Sequence, residues 1–182
     1  MQVGSSPYLG GKVHDMTITE RYLVVPLPPL SLDFGRPVAH GARRFAMKVG
    51  EPLRVLVMDK NDITKRRVFE LPPQMVFHVG NAHETADGHV VLSYIGWPDA
   101  WFLDQGAVAL MSAKPSATGH VSTQFATLDM KTGKARGTTF DAGRQATVLN
   151  VLDAAHIADG PIAQAVLPYM LPLGFHGNFT AV

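Results

Sequence analysis

Three histidines have surroundings that suit chemistry better than solvent. His78 stands inside the apolar run of LPPQMVFHVGNAHE (71–84), His14 lies in GGKVHDMTIT (10–19), and His176 lies in LPLGFHGNF (171–179). An imidazole among apolar neighbours must find a partner, because burying a polar group without one costs about 1–3 kcal/mol. That partner is a carbonyl, a carboxylate or a metal ion. Taken singly, each reads as a hydrogen-bonded core histidine. Taken together they form a set of nitrogen donors, which suits zinc, copper, nickel or iron. They are far apart in the chain, unlike the HExxH arrangement that puts two ligands on one helical turn.

The remaining polar groups carry less. His40, His89, His120 and His156 stand beside Gly, Asp or Ala and read as solvated surface histidines, and His83 is open either way. Asp15 and Glu84 are near candidate ligands; they read as a carboxylate pair, as groups that orient a ligand, or as strand-end groups. Ser6 and Ser93 lack a nucleophile-elbow context, and Gly10-Gly11-Lys12 does not complete a phosphate loop.

The elements that must position these side chains read as strands. The chain has 182 residues, 46% hydrophobic and 17% charged, which fits one globular domain with a sizeable core. A net charge of +1 with scattered Lys and Arg gives no electrostatic case for nucleic acid. The absence of cysteine excludes a disulfide framework, a thiolate zinc site and a cysteine nucleophile. The opening MQVGSSPYLGG does not have the pattern of a signal peptide, and no apolar run approaches the ~20 residues of a membrane span. The cytoplasm is the default compartment, with peripheral membrane contact left open and no partner protein indicated.

Val13–Thr19 and Arg21–Pro26 read as two strands meeting near Thr19-Glu20, with Pro26, Pro28 and Pro29 ending regular structure. Ser31–Met47 reads as loop. Leu53–Met58 is the clearest buried strand, returning through Asp59–Asp62 into Arg66–Leu71. Gln74–Val79 reads as a short strand stopped by Gly80-Asn81. His89–Tyr94, Val121–Met130, Thr147–Asp153 and Ile162–Leu167 read as further strands, with a turn at Lys131–Lys134. Trp101–Ser112 has near-helical spacing, and Ala154–Ile157 is one turn of helix at most. Strand following strand with frequent turn residues predicts an all-β sandwich, barrel or propeller.

Three blocks make the sequence resemble the carotenoid cleavage oxygenases, the group that includes retinal pigment epithelial membrane proteins and lignostilbene dioxygenases. They are KVHDMTITERYLVVPLPPL (12–30), RRVFELPPQMVFHVGNAHET (66–85) and VLNVLDAAHIADGPIAQAVLPYMLPLGFHGNF (148–179), with LDMKTGKA (128–135) fitting between them. The resemblance implies an all-β, seven-bladed β-propeller with Fe(II) on its axis, held by four histidines. His14, His78 and His176 match three of these. It implies cleavage of a carbon–carbon double bond of a carotenoid, apocarotenoid or stilbene with O2, giving two carbonyl products. Phe77, Trp97, Trp101 and Phe175 are the candidates to line an apolar tunnel for the polyene or stilbene.

The match also departs from the family pattern. The family's remaining histidine is expected ahead of the block that holds His14. Two glutamate segments expected between Lys134 and Thr147 are absent, and Glu84 does not replace them. The resemblance therefore implies one domain over 1–182 that is the C-terminal part of such an enzyme, with its N-terminal blades missing and an internal deletion. Two alternatives belong to other classes: an inactive fragment of the same fold with an incomplete iron site, and an unrelated cupin-like barrel. The long proline-rich intervals count against the barrel.

Overall fold

The computed structural model describes residues 12–32, 45–101, 103, 121–140, 148–153, 156 and 159–166. Its elements are strands: β1 (Thr17–Ile18), β2 (Tyr22–Leu27), β3 (Leu30–Leu32), β4 (Phe45–Met47), β5 (Leu53–Asp59), β6 (Arg66–Leu71), β7 (Met75–Glu84), β8 (His89–Trp97), β9 (Ser122–Asp129), β10 (Ala135–Phe140), β11 (Val148–Leu152) and β12 (Pro161–Val166). The all-β expectation holds. Among the described residues no helix is long and apolar enough to cross a membrane.

Two compact units divide the chain, residues 1–141 and 142–182. The first holds two four-stranded antiparallel sheets, ordered β1-β2-β5-β6 and β10-β9-β8-β7, and the small β3-β4 pair. The second holds the β11-β12 hairpin, with a register shift between Val151 and Leu152.

Side-chain alternation explains why the two large sheets have one buried face each. In β8 buried and half-buried residues alternate without a break, placing Val90, Leu92, Tyr94 and Gly96 on one side. The register sets Val90 opposite Leu128 and Leu92 opposite Ala126, so β9 presents its buried residues to the same side. In the other sheet Val55 pairs with Phe69, Leu53 with Leu71, and Val24 with Val57. These residues join in one core, with Val24, Leu53, Val55, Val90, Leu92, Ala126 and Leu128 fully buried. Each large aliphatic or aromatic side chain there contributes about 1.5–3 kcal/mol.

Several elements differ from the sequence expectation. Gly80-Asn81 does not stop β7, which runs on to Glu84. The register against β8 slips twice, between Val76 and Val79 and between Val79 and Ala82. Each slip puts two residues of β7 against one of β8, Phe77 and His78 against Ile95 and then Gly80 and Asn81 against Ser93, so each is a bulge that absorbs an extra residue. Pro26 does not end β2 but lies within it, opposite Val55. There β1 no longer flanks β2, since it reaches only Leu23 and Val24, so the missing N–H interrupts no second ladder. The expected loop 31–47 is strand at both ends, where Leu30–Leu32 pairs with Phe45–Met47. Strand β10 was not expected, and β8 runs three residues past Tyr94. Trp101–Ser112 and Ala154–Ile157 lie almost wholly outside the described residues, as do His40 and His120.

Candidate functional site

The site is built on the first bulge of β7. On a regular strand neighbouring side chains point to opposite faces. Phe77 and His78 are neighbours, yet both rings meet the ring of His14. His14 stacks on Phe77, with centroids 3.8 Å apart and planes 13° from parallel. The rings of His14 and His78 are 5.4 Å apart at 63°, and those of Phe77 and His78 are 4.6 Å apart at 66°. The bulge supplies the extra backbone rotation that turns both side chains toward one place. Nε2 of His78 is shielded from solvent, whereas His14 is exposed.

Two carboxylates hold the segment before β2 on β7. Asp15 accepts the Met16 N–H through Oδ1 at 2.8 Å and the Val79 N–H through Oδ2 at 2.9 Å. At the far end of the strand, Oε1 of Glu84 accepts the Thr19 hydroxyl at 2.6 Å and the Arg21 N–H at 2.8 Å. Asp15 and Glu84 are therefore not a catalytic pair. Asp15 accepts from the middle of β7, at Val79, and Glu84, the last residue of β7, accepts from Thr19 and Arg21; the strand-end reading of the sequence fits Glu84 alone.

Ser93 and Gly80 fix the second bulge, just beyond Val79, where Gly80 and Asn81 stand opposite Ser93. The Ser93 hydroxyl accepts the Asn81 N–H at 2.9 Å and donates to the Asn81 carbonyl at 3.2 Å. A Cβ at position 80 would stand 2.6 Å from that hydroxyl, so the close approach requires glycine.

Apolar side chains gather beside the histidines. Leu30, Phe45, Met75 and Ala100 form a second buried cluster, with Met47, Phe77, Trp97 and Leu103 packed against it. Phe77 and Trp97, two of the expected tunnel-lining residues, thus belong to one apolar patch; Phe175 lies outside the described residues. The Lys12 ammonium stands 5.2 Å from the ring centroids of both Phe45 and Phe77. No sequence pattern marks Lys12 for this place, because its two rings come from distant strands.

The electrostatics away from the site are those of turns and strand ends. Burial pushes the Tyr94 phenol up to about 12, and its hydroxyl donates to Gln74 Oε1 at 3.1 Å. In the β9–β10 turn the Thr132 hydroxyl and the N–H groups of Thr132 and Lys131 hold the Asp129 carboxyl down to about 2. His89 is not a fully solvated histidine: its ring is 2.9 Å from Asp87 and 3.9 Å from Asp129. His156 is exposed and lies 3.0 Å from Asp153, whose hydrogen bond raises its pKa.

Of the three histidines singled out by the sequence, the fold brings two together. His176 lies outside the described residues. Among the described residues no group of three or more His, Cys, Asp or Glu side chains is placed to hold a metal ion. The pair fits one metal in its separation. With a metal–nitrogen bond of about 2.1 Å, two imidazoles sharing an ion have centroids about 4.5 Å apart at a right angle and about 6.4 Å apart when opposed. The observed 5.4 Å falls inside that range.

Comparison with known proteins places this architecture. The sequence model described as retinal pigment epithelial membrane protein matches residues 6–141, which include His14 and His78 but not the segment of His176. Carotenoid cleavage oxygenase 1 of Neurospora crassa is 29% identical over 100 residues, 50% of this chain and 19% of that protein. Among solved structures, a substituted apocarotenoid oxygenase of Synechocystis matches with a TM-score of 0.53 at 16% identity, covering 71% of this chain and 27% of the other. The cobalt-substituted form of that oxygenase matches with a TM-score of 0.55 at 17% identity over the same shares. The chain thus spans about a fifth to a quarter of the length of these relatives. With the family model covering most of its length, the chain belongs to the carotenoid cleavage oxygenase family, the retinal pigment epithelial membrane protein group.

Proposed function

We propose that this chain is part of a non-haem iron dioxygenase that cleaves a carbon–carbon double bond of a carotenoid, apocarotenoid or stilbene with O2 to give two carbonyl products. The observation that carries this is the convergence of His14 and His78, distant in sequence, on one bulge with rings 5.4 Å apart. His14, His78 and His176 would hold Fe(II), which supplies the centre for dioxygen chemistry when bound. The chain's own residues do the rest. The β7 bulge turns His78 toward His14. Phe77 and Trp97, partly buried against the cluster of Leu30, Phe45, Met75 and Ala100, offer an apolar surface that excludes water and accepts a polyene beside them.

β7 to β10 form an up-and-down antiparallel meander of four strands, the unit of a propeller blade. We read it as one blade of a partial seven-bladed propeller.

A second reading is favoured by a specific observation: among the described residues two imidazoles meet, and no third ligand joins them. On that reading the chain is an inactive fragment of such an enzyme, with an incomplete iron site. Anaerobic titration with Fe(II), followed by O2 and a carotenoid, an apocarotenoid or a stilbene, separates the two. Aldehyde products that require both iron and O2 establish the dioxygenase. Protein that is folded, takes up no iron and yields no aldehyde is the fragment.

A further inference from the structure

We propose that Asp15 is a positioning residue for His14, an assignment that rests on the iron-site proposal for its purpose but not for its geometry. His14 lies in residues 12–16, which precede β1 and belong to no strand. The ladder with β2 begins only at Thr17, paired with Val24. Side chains help to hold this segment on β7. Asp15 does this with both oxygens. Oδ1 accepts the Met16 N–H at 2.8 Å and fixes the local turn of the backbone, and Oδ2 accepts the Val79 N–H at 2.9 Å.

The placement is specific. Asp15 immediately follows His14, and Val79 immediately follows His78. One carboxylate thus links the residues next to both imidazoles. Val79 also stands between the two register breaks of β7, where β8 constrains the strand least. Removing the carboxylate loosens the exposed His14 on the strand, against which its ring also stacks on Phe77, with Lys12 over the same ring. Glu84 makes the comparable link at the far end of β7, but its partners, Thr19 and Arg21, lie beyond β1. It anchors the strand pair without setting where His14 stands.

The test uses the full 182-residue chain, with Asp15→Ala and Asp15→Asn. Stacking at 3.8 Å shifts the carbon-bound imidazole protons of His14 upfield in the NMR spectrum of the metal-free protein. Asp15→Ala is expected to abolish that shift while the amide signals of β8 and β9 stay in place. Asp15→Asn retains one acceptor oxygen and is expected to retain an intermediate shift; this variant decides the matter if the alanine form does not fold. Titration with Co(II), followed by its visible absorption, is expected to show about a 10–100-fold loss of affinity in the alanine variant, the range for a group that orients a ligand. An unchanged His14 shift in both variants overturns the assignment, as does Co(II) affinity equal to that of the unsubstituted chain. If the shift is lost but the unsubstituted chain takes up no Co(II), Asp15 still positions His14, and it is the iron-site proposal that fails.

Discussion

The second bulge of β7, where Gly80 and Asn81 stand opposite Ser93, depends on close contact between Gly80 and Ser93, and Gly80→Ala tests it. The added Cβ would stand 2.6 Å from the Ser93 hydroxyl, but 3.5 Å from its Cβ and its carbonyl oxygen, which is ordinary contact. The hydroxyl must therefore move, and its two bonds to the Asn81 backbone are lost. At about 0.5–1.5 kcal/mol each, that loss is about 1–3 kcal/mol. Replacing glycine restricts the unfolded chain and returns about 0.4–1 kcal/mol. The net destabilisation is about 0–2.6 kcal/mol. In a Ser93→Ala background there is no hydroxyl to displace, and Gly80→Ala becomes neutral or mildly stabilising. Urea unfolding of the two single variants and the double variant gives the coupling directly, expected at about 1–3 kcal/mol. If Gly80→Ala has the same effect in both backgrounds, within about 0.5 kcal/mol, the contact does not hold the bulge.

Three further outcomes follow from other contacts. Glu84→Ala removes the acceptor for both the Thr19 hydroxyl and the Arg21 N–H and is expected to destabilise by about 1–3 kcal/mol; both bonds end on Oε1, so Glu84→Gln should cost less than half as much by urea unfolding. Phe69→Ala empties the centre of the core, where Phe69 is 1% exposed, and is expected to lower stability by about 3–5 kcal/mol in the same assay. The buried Tyr94 phenol, raised to about 12, gives a pH dependence: because the folded protein keeps a proton that the unfolded chain gives up, the contribution is complete below pH about 10 and is lost as pH rises toward 12. Thermal unfolding from pH 9 to 12 should show this fall, and Tyr94→Phe should flatten it.

The parts of the fold that the sequence made legible are those where one physical signal dominates. The apolar runs HVVLSY and LRVLVM reported buried strands, and LDMKTGKA carried its turn in Gly133, whose φ is +79°. Strand β10 was illegible because its residues Arg136–Thr139 are exposed and carry no apolar period. β7 was cut short because Gly80-Asn81 has the composition of a turn, and nothing local distinguishes a turn from a bulge whose partner is Ser93 on the next strand. The site was legible in the same partial way. Residue type marked His14 and His78, and the fold brings them together. The exposure of His14, the roles of Asp15 and Glu84, and the place of Lys12 depend on partners tens of residues away, and local pattern contains no trace of those pairings.

The most direct measurement is an anaerobic Fe(II) titration by calorimetry of the chain and of its His14→Ala and His78→Ala variants. Sharing of one ion by the two imidazoles predicts a single site in the unsubstituted chain and loss of it in either variant, with far-UV circular dichroism unchanged. Binding by either alanine variant as tight as that of the parent would contradict a shared ion.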